Sequence, residues 1–219
     1  MEKTLVEDKP PGLRSRQKTQ RRDAILTTAK RLFEQNGIEN TTMAAIAADV
    51  GVSTPTVFNY FGTRDELLLA IILDGHVRAV ESNRRIPMRS GKGLAADLTD
   101  LLTRFTKYSM EIFNKPVWRY ADSAAIRQPK SEFVQRYAQI DEVLREEIEN
   151  VLRDQPSETR RGGGFDTAAL AAIIYNHWNA HYIAFIKDDD MSMEAHLGAL
   201  SPQIRELLSL VFADEHPDA

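Results

Sequence analysis

The sequence predicts an all-α protein: an N-terminal helix-turn-helix domain of three helices followed by a C-terminal helical bundle, about nine helices in all. Three observations carry that expectation. Apolar residues recur at helical spacing along most of the 219 residues. No segment shows the strict alternation of a half-buried strand. The breakers, namely Pro87, Ser90-Gly91-Lys92-Gly93, Asn114 to Pro116, Pro129, Pro156, Gly162-Gly163-Gly164 and Asp188 to Asp190, leave only helix-length segments between them.

Taken in order, Ile25, Ala29, Leu32 and Phe33 share one helical face, and Asn36-Gly37 ends that helix, which spans roughly Arg16 to Asn36. Thr41 and Thr42 can cap a short second helix through Ala48, closed by a tight turn at Gly51. Ser53 or Thr54 then opens a third helix of about two turns, whose first turn tolerates Pro55 because that amide would be unpaired anyway. Thr63 and Glu66 have the spacing of a reciprocal capping box and start a fourth helix. Further helices are expected at about Leu94 to Phe113, Val117 to Gln128, Ser131 to Asp154, Phe165 to Lys187 and Met193 to Ala213. Pro202 leaves open a kink in the last, and Pro156 to Gly164 reads as a mobile loop. The expected organisation is a flexible basic arm over 1–15, a helix-turn-helix domain over 16–62 and a second domain over 63–214.

Composition narrows the function classes. With no cysteine, disulfides, thiolate metal sites and cysteine nucleophiles are excluded. The longest apolar runs, Leu67 to Leu73 and Ala168 to Tyr175, fall far short of the roughly 18–20 residues that span a bilayer. A cytoplasmic protein with no membrane partner is expected. The formal net charge is −4, yet Lys9 to Arg31 carries eight basic residues against one acid, Asp23. That segment is the side of the molecule suited to a polyanion.

Two short helices meeting at a glycine turn, with Ile25, Ala29, Phe33, Ile46, Ala47, Val52, Val57, Phe61 and Leu67 able to form one core, leave Thr54, Thr56, Asn59 and Tyr60 outward. This arrangement is suited to placing a helix in the major groove. The run Ile25-x3-Ala29-x2-Leu32-Phe33-x3-Gly37, Thr42-x3-Ile46-Ala47-x3-Gly51-Val52-Ser53 and Thr56 through Leu68 resembles the TetR (tetracycline repressor-like) family of transcription regulators. The resemblance covers about residues 20 to 70. It implies a homodimer that binds a palindromic double-stranded operator, most simply as a repressor, and a small-molecule effector held by the C-terminal domain. It also implies that Thr42 meets a phosphate, that Thr54, Pro55 and Thr56 open the recognition helix with Asn59 and Tyr60 further along it, and that Arg64 contacts the DNA backbone where the family usually has lysine. Phe58 stands where the family usually has tyrosine, so one phosphate-contacting hydroxyl is missing. Arg16, Lys18, Arg21 and Arg22 are expected to neutralise phosphates or reach the minor groove.

In the C-terminal part, Thr167 to Ile186 is apolar on nearly every face and must be buried. By the resemblance, the last two helices form an intersubunit four-helix bundle, with Leu170, Ile174, Leu197, Ile204, Leu208 and Val211 at the dimer interface. Phe105, Tyr108, Phe113, Trp118, Tyr137, Trp178 and His181 are the expected lining of a pocket for a largely apolar or aromatic effector. His177 and His181 share a helical face, but no third ligand lies near them in sequence, so neither a metal nor a cofactor is expected. The alternatives are the same fold as an activator or a partner-controlled regulator and, more remotely, a helical-bundle enzyme using His177 or His181 with Asp122 or Glu111. No nucleophile motif or phosphate loop accompanies those residues, so the chain is not read as an enzyme.

Overall fold

The computed structural model describes residues 12–83, 93–153 and 159–212, with the side chains of 79–83 left aside. Most of the expected arm (residues 1–11), the breakers at Pro87 and Ser90 to Lys92, and Pro156 lie outside the described residues. Among these there are nine helices: α1 (Leu13–Asn36), α2 (Met43–Val50), α3 (Thr54–Phe61), α4 (Arg64–Asn83), α5 (Leu94–Ile112), α6 (Lys115–Arg127), α7 (Glu132–Arg153), α8 (Thr167–Lys187) and α9 (Met193–Val211). The only β pairing among them is an isolated bridge between Thr159 and Phe212. No described helix is long and apolar enough to cross a membrane.

The chain divides into two compact units, Met1–Ala70 and Ile71–Ala219, and α4 runs through the division. In the first unit, Ile25, Ala29, Phe33, Ile46, Val57 and Leu67 are completely or almost completely buried and make one small core. Val52, expected in that core, is only half-buried. Each junction has a local cause. The Thr41 hydroxyl, itself buried, donates to the Gly37 carbonyl at 2.8 Å and closes the α1–α2 turn. Thr42 caps α2 by accepting from the Ala45 amide at 3.0 Å. Gly51 ends α2 with φ 78° and ψ 33°, a left-handed conformation that an L side chain resists. At the head of α4 the capping box forms in both directions: the Glu66 amide donates to Thr63 Oγ1 at 3.1 Å, and the Thr63 amide donates to Glu66 Oε2 at 3.0 Å. Helix α1 begins at Leu13, three residues before the expected start, so Arg14 and Arg16 are already helical.

The second unit is a bundle in which α7 and α8 form the most extensive pairing. Lys115 Nζ ties the start of α6 to the α8–α9 turn through the Asp188 and Met191 carbonyls, at 2.6 and 2.7 Å. Arg119 grips Asp189 with both terminal nitrogens nearby. Gly75 lets α4 approach α5 closely, since a Cβ there would lie 2.5 Å from Ile112 Cγ1. Helix α9 continues through Pro202. Proline removes the amide that would have bonded the Gly198 carbonyl, and on either side of that gap the Ser201 hydroxyl and the Gln203 side-chain amide donate to the carbonyls of Leu197 and Ala199. The glycine-rich loop is held where it is described. The Arg160 amide donates to the Val211 carbonyl at 2.9 Å, and Phe165 packs edge-on against Phe212.

Candidate functional site

The first unit presents α3 as a short amphipathic rod. Val57 and Phe61 point into the core, whereas Pro55, Phe58 and Asn59 are exposed, and Thr54, Thr56 and Tyr60 are half-buried. Two of the expected contact groups already have partners. Thr56 Oγ1 shares a 2.8 Å hydrogen bond with Ser53 Oγ, and the Tyr60 hydroxyl donates to the Lys18 carbonyl of α1 at 3.3 Å. Tyr60 therefore also ties α3 to α1. Phe58 is 47% exposed on the free face, so the position lacking a hydroxyl offers an apolar surface instead.

Around this helix the charges are arranged unevenly. Arg16, Lys18 and Arg21 are exposed on α1, and Arg22 lies over the Phe61 ring at 5.8 Å. Arg31 is committed internally, its guanidinium reaching Asp49 of α2 at 2.5 Å and Gln35 at 2.9 Å. Arg64 is half-buried and donates to the Glu39 carbonyl at 3.0 Å, which joins the start of α4 to the α1–α2 turn. Thr42, exposed, spends its oxygen lone pair on the Ala45 amide and keeps its own proton free for an acceptor.

The second unit contains a cavity of about 250 Å³ walled by α4 to α8. Of the expected lining residues, Phe105, Trp118, Tyr137 and Trp178 are there. Tyr108, Phe113 and His181 are not: Phe113 is fully buried in the core, and His181 bonds Gln203 on the α9 side at 3.3 Å. Aromatic identity gives no direction, which is why the sequence could not separate these two groups. His76, Asp122, Asp141, Tyr175, Asn179 and Tyr182 complete the polar and aromatic wall.

Both tryptophan N–H groups are satisfied by groups of α5. Trp118 Nε1 donates to the Ser109 carbonyl at 2.9 Å, and Trp178 Nε1 donates to Thr106 Oγ1 at 3.0 Å. Their rings are thereby fixed, with Phe105 and Tyr182 each 5.1–5.3 Å from Trp178. Asp122 accepts from the Tyr137 hydroxyl at 3.2 Å through Oδ1. Burial pushes Asp122 up to about 6, offset in part by that bond, while burial holds His76 down at about 4 and hence neutral near pH 7. Burial also raises Asp141, against the Tyr175 hydroxyl and the Arg145 guanidinium, which lower it.

Of the positions expected at a dimer interface, Leu170, Ile174, Ile204 and Leu208 are buried within the single chain, and Leu197 and Val211 are half-buried. On these two helices the exposed large apolar side chains are Ile173, 53% exposed, and Leu210, 67% exposed. A helix apolar on all sides does not disclose which face turns inward. His177 and His181 stack edge-to-face at 4.9 Å, and neither has a carboxylate as a hydrogen-bond partner among the described residues.

Residues 25–71 match the family model described as bacterial regulatory proteins, tetR family. The nucleoid occlusion factor SlmA of Pasteurella multocida is 25% identical over 177 residues, covering 78% of this chain and 84% of that one. The HTH-type transcriptional regulator UidR of Escherichia coli is 34% identical over 59 residues, covering 27% of this chain and 30% of its own length. A solved TetR transcription regulator from Haloarcula marismortui superposes with a TM-score of 0.69 at 20% identity, covering 89% of this chain and 99% of that one. The matched segment is the one that builds α1 to α3 and the head of α4, and over that segment the chain is similar to the DNA-binding domain of tetR-family regulatory proteins.

Proposed function

We propose that the protein is a dimeric repressor that reads a palindromic operator through α3 and is released when a small molecule enters the cavity of the second unit. The observation that carries the effector half of this reading is the cavity itself, with fixed aromatic walls and a few polar groups, the usual make-up of a small-molecule site. It favours small-molecule control over control by a partner protein.

On the DNA side, Pro55, Phe58 and Asn59 are the outward residues of α3. An amide pairs well with adenine in the major groove, and an apolar ring suits a thymine methyl. Thr42, Arg64, Arg16, Lys18, Arg21 and Arg22 surround them and would position the head on phosphates. Thr54, Thr56 and Tyr60 would add contacts at the edges of α3. Dimerisation through α8 and α9 is favoured by the lack of any charged side chain from Thr167 to Ile186 and by the outward exposure of Ile173 and several alanines of that helix. Helix α4 carries Arg64 at its start and His76 in the cavity wall, so it is the element through which ligand could bias the DNA-reading state. A coupling of about 1–3 kcal/mol would suffice for a several-fold to hundred-fold change in operator affinity.

The test is to select binding sites for the purified protein in the cytoplasmic salt range from a random duplex pool, then to measure the stoichiometry of the complex. A palindrome with half-sites one or more helical turns apart, bound by two chains, is the expected result. A lone half-site bound by one chain would refute the dimeric reader.

A further inference from the structure

The polar wall of the cavity has a definite sign. It holds two carboxylates, Asp122 and Asp141, and none of its lining residues is Lys or Arg. Two of its buried polar atoms have no hydrogen-bond partner, Asp122 Oδ2 and His76 Nε2, whereas the Tyr182 hydroxyl is within reach of the Ser109 side chain. A buried carboxylate oxygen without a partner is costly unless a donor arrives. Asp141 already has the Arg145 guanidinium and the Tyr175 hydroxyl beside it, which leaves Asp122 as the carboxylate that lacks a counter-charge close by. The groups facing Asp122 are Tyr137 and Asp141 on α7 and Tyr175, Tyr182 and Lys187 on α8; the one cation among them, Lys187, is exposed and is the last and smallest of the influences on Asp122. Around these acids stand the rings of Trp118, Trp178, Tyr137 and Tyr182, whose faces attract cations.

We infer that the cavity takes a small organic cation, a protonated amine or amidine carrying one or two aromatic rings, with Asp122 as its counter-ion and the rings of Trp118 and Trp178 as its walls. This rests on the reading of the cavity as the effector site and narrows the ligand from largely apolar to aromatic and cationic. The volume of about 250 Å³ lies just below the usual 300–1,000 Å³ of drug-sized clefts, so the ligand is small. His76 Nε2 is then available to a hydroxyl or a second nitrogen on its ring.

The experiment uses three probes of equal shape: 4-phenylbutylamine, 4-phenylbutanol and 4-phenylbutyrate. Their binding to the intact protein at pH 7.5 is followed by calorimetry and by the fluorescence of Trp118 and Trp178, the two tryptophans of the chain. The amine is expected to bind at least tenfold more tightly than the alcohol, with the carboxylate weakest. In Asp122→Asn that preference is expected to fall to within about twofold while alcohol binding persists, which shows that the variant cavity is intact. Asp141→Asn is expected to keep most of the preference. An amine that binds no better than the alcohol, or a preference untouched by Asp122→Asn, overturns the counter-ion assignment, as does failure of all three probes at millimolar concentration. If the amine binds as described but leaves the affinity for the selected duplex unchanged, the cation site stands and the effector reading fails instead.

Discussion

The two units treat polar groups in opposite ways. In the first, hydroxyls and amides at every turn are spent on the fold: Thr41 on Gly37, Thr42 on Ala45, Thr63 and Glu66 on each other, Tyr60 on Lys18. In the second, Asp122 and His76 at the cavity wall each keep one buried atom unpartnered. A segment that must present a rigid helix to DNA gains from satisfying its groups internally. A segment that waits for a ligand gains from leaving groups unsatisfied, and gives up stability to do so.

The largest expected effect lies in the small core of the first unit. Phe33→Ala should cost about 3–5 kcal/mol. Because both tryptophans lie in the second unit, helix content by circular dichroism should fall at a lower temperature than tryptophan fluorescence changes. Coincident loss of both signals would show that the units unfold together.

Next comes the cost of the unpartnered acid. Asp122 is raised to about 6 from an ordinary 3.8, so the native state holds its proton more tightly than the unfolded chain does. Its charge therefore destabilises the ligand-free protein above pH 6, and this is relieved as pH falls toward 3.8. Asp122→Asn should accordingly be more stable at pH 7.5 by roughly 3 kcal/mol, less any screening by solvent, with the gap about halved at pH 5 and closing toward pH 3.8. Urea midpoints across that range check it. A gap that widens on acidification would reverse the sign of the account.

A smaller effect is expected where α4 meets α5. Gly75→Ala gains about 1 kcal/mol of helix propensity but drives a methyl into buried Ile112, an overpacking cost of about 1–3 kcal/mol. A net loss of about 1 kcal/mol is predicted. The double variant with Ile112→Ala should be less destabilised than the sum of the two single changes, and strict additivity would place the clash elsewhere. Smallest of all, Arg21→Ala should leave stability unchanged and lower the salt slope of DNA binding by about 1. An identical slope would remove Arg21 from the phosphate contacts.

The same contrast sets what could be read from sequence. The first unit is encoded locally: Gly51 must adopt positive φ, the Thr63–Glu66 spacing is its own cap, and the core positions follow one helical period. The nine helices and most of their ends follow from breakers in the same way. The cavity is a convergence of five helices, and Phe105 and Tyr108, three residues apart with equal claims, part company only when α5 is packed. The outward turn of Ile173 and the inward turn of Ile174 were equally hidden, because neighbouring isoleucines on an uncharged helix leave its orientation to the fold.

The central claim, that α3 reads base sequence, is tested most directly by repeating the pool selection with Asn59→Ala, an exposed residue whose loss leaves the core intact. The account predicts the same palindrome with preference lost at one symmetry-related base pair in each half-site, a discrimination of about 1–3 kcal/mol per contact. Recovery of an unchanged motif, or changed preference in only one half-site of the palindrome, would contradict it.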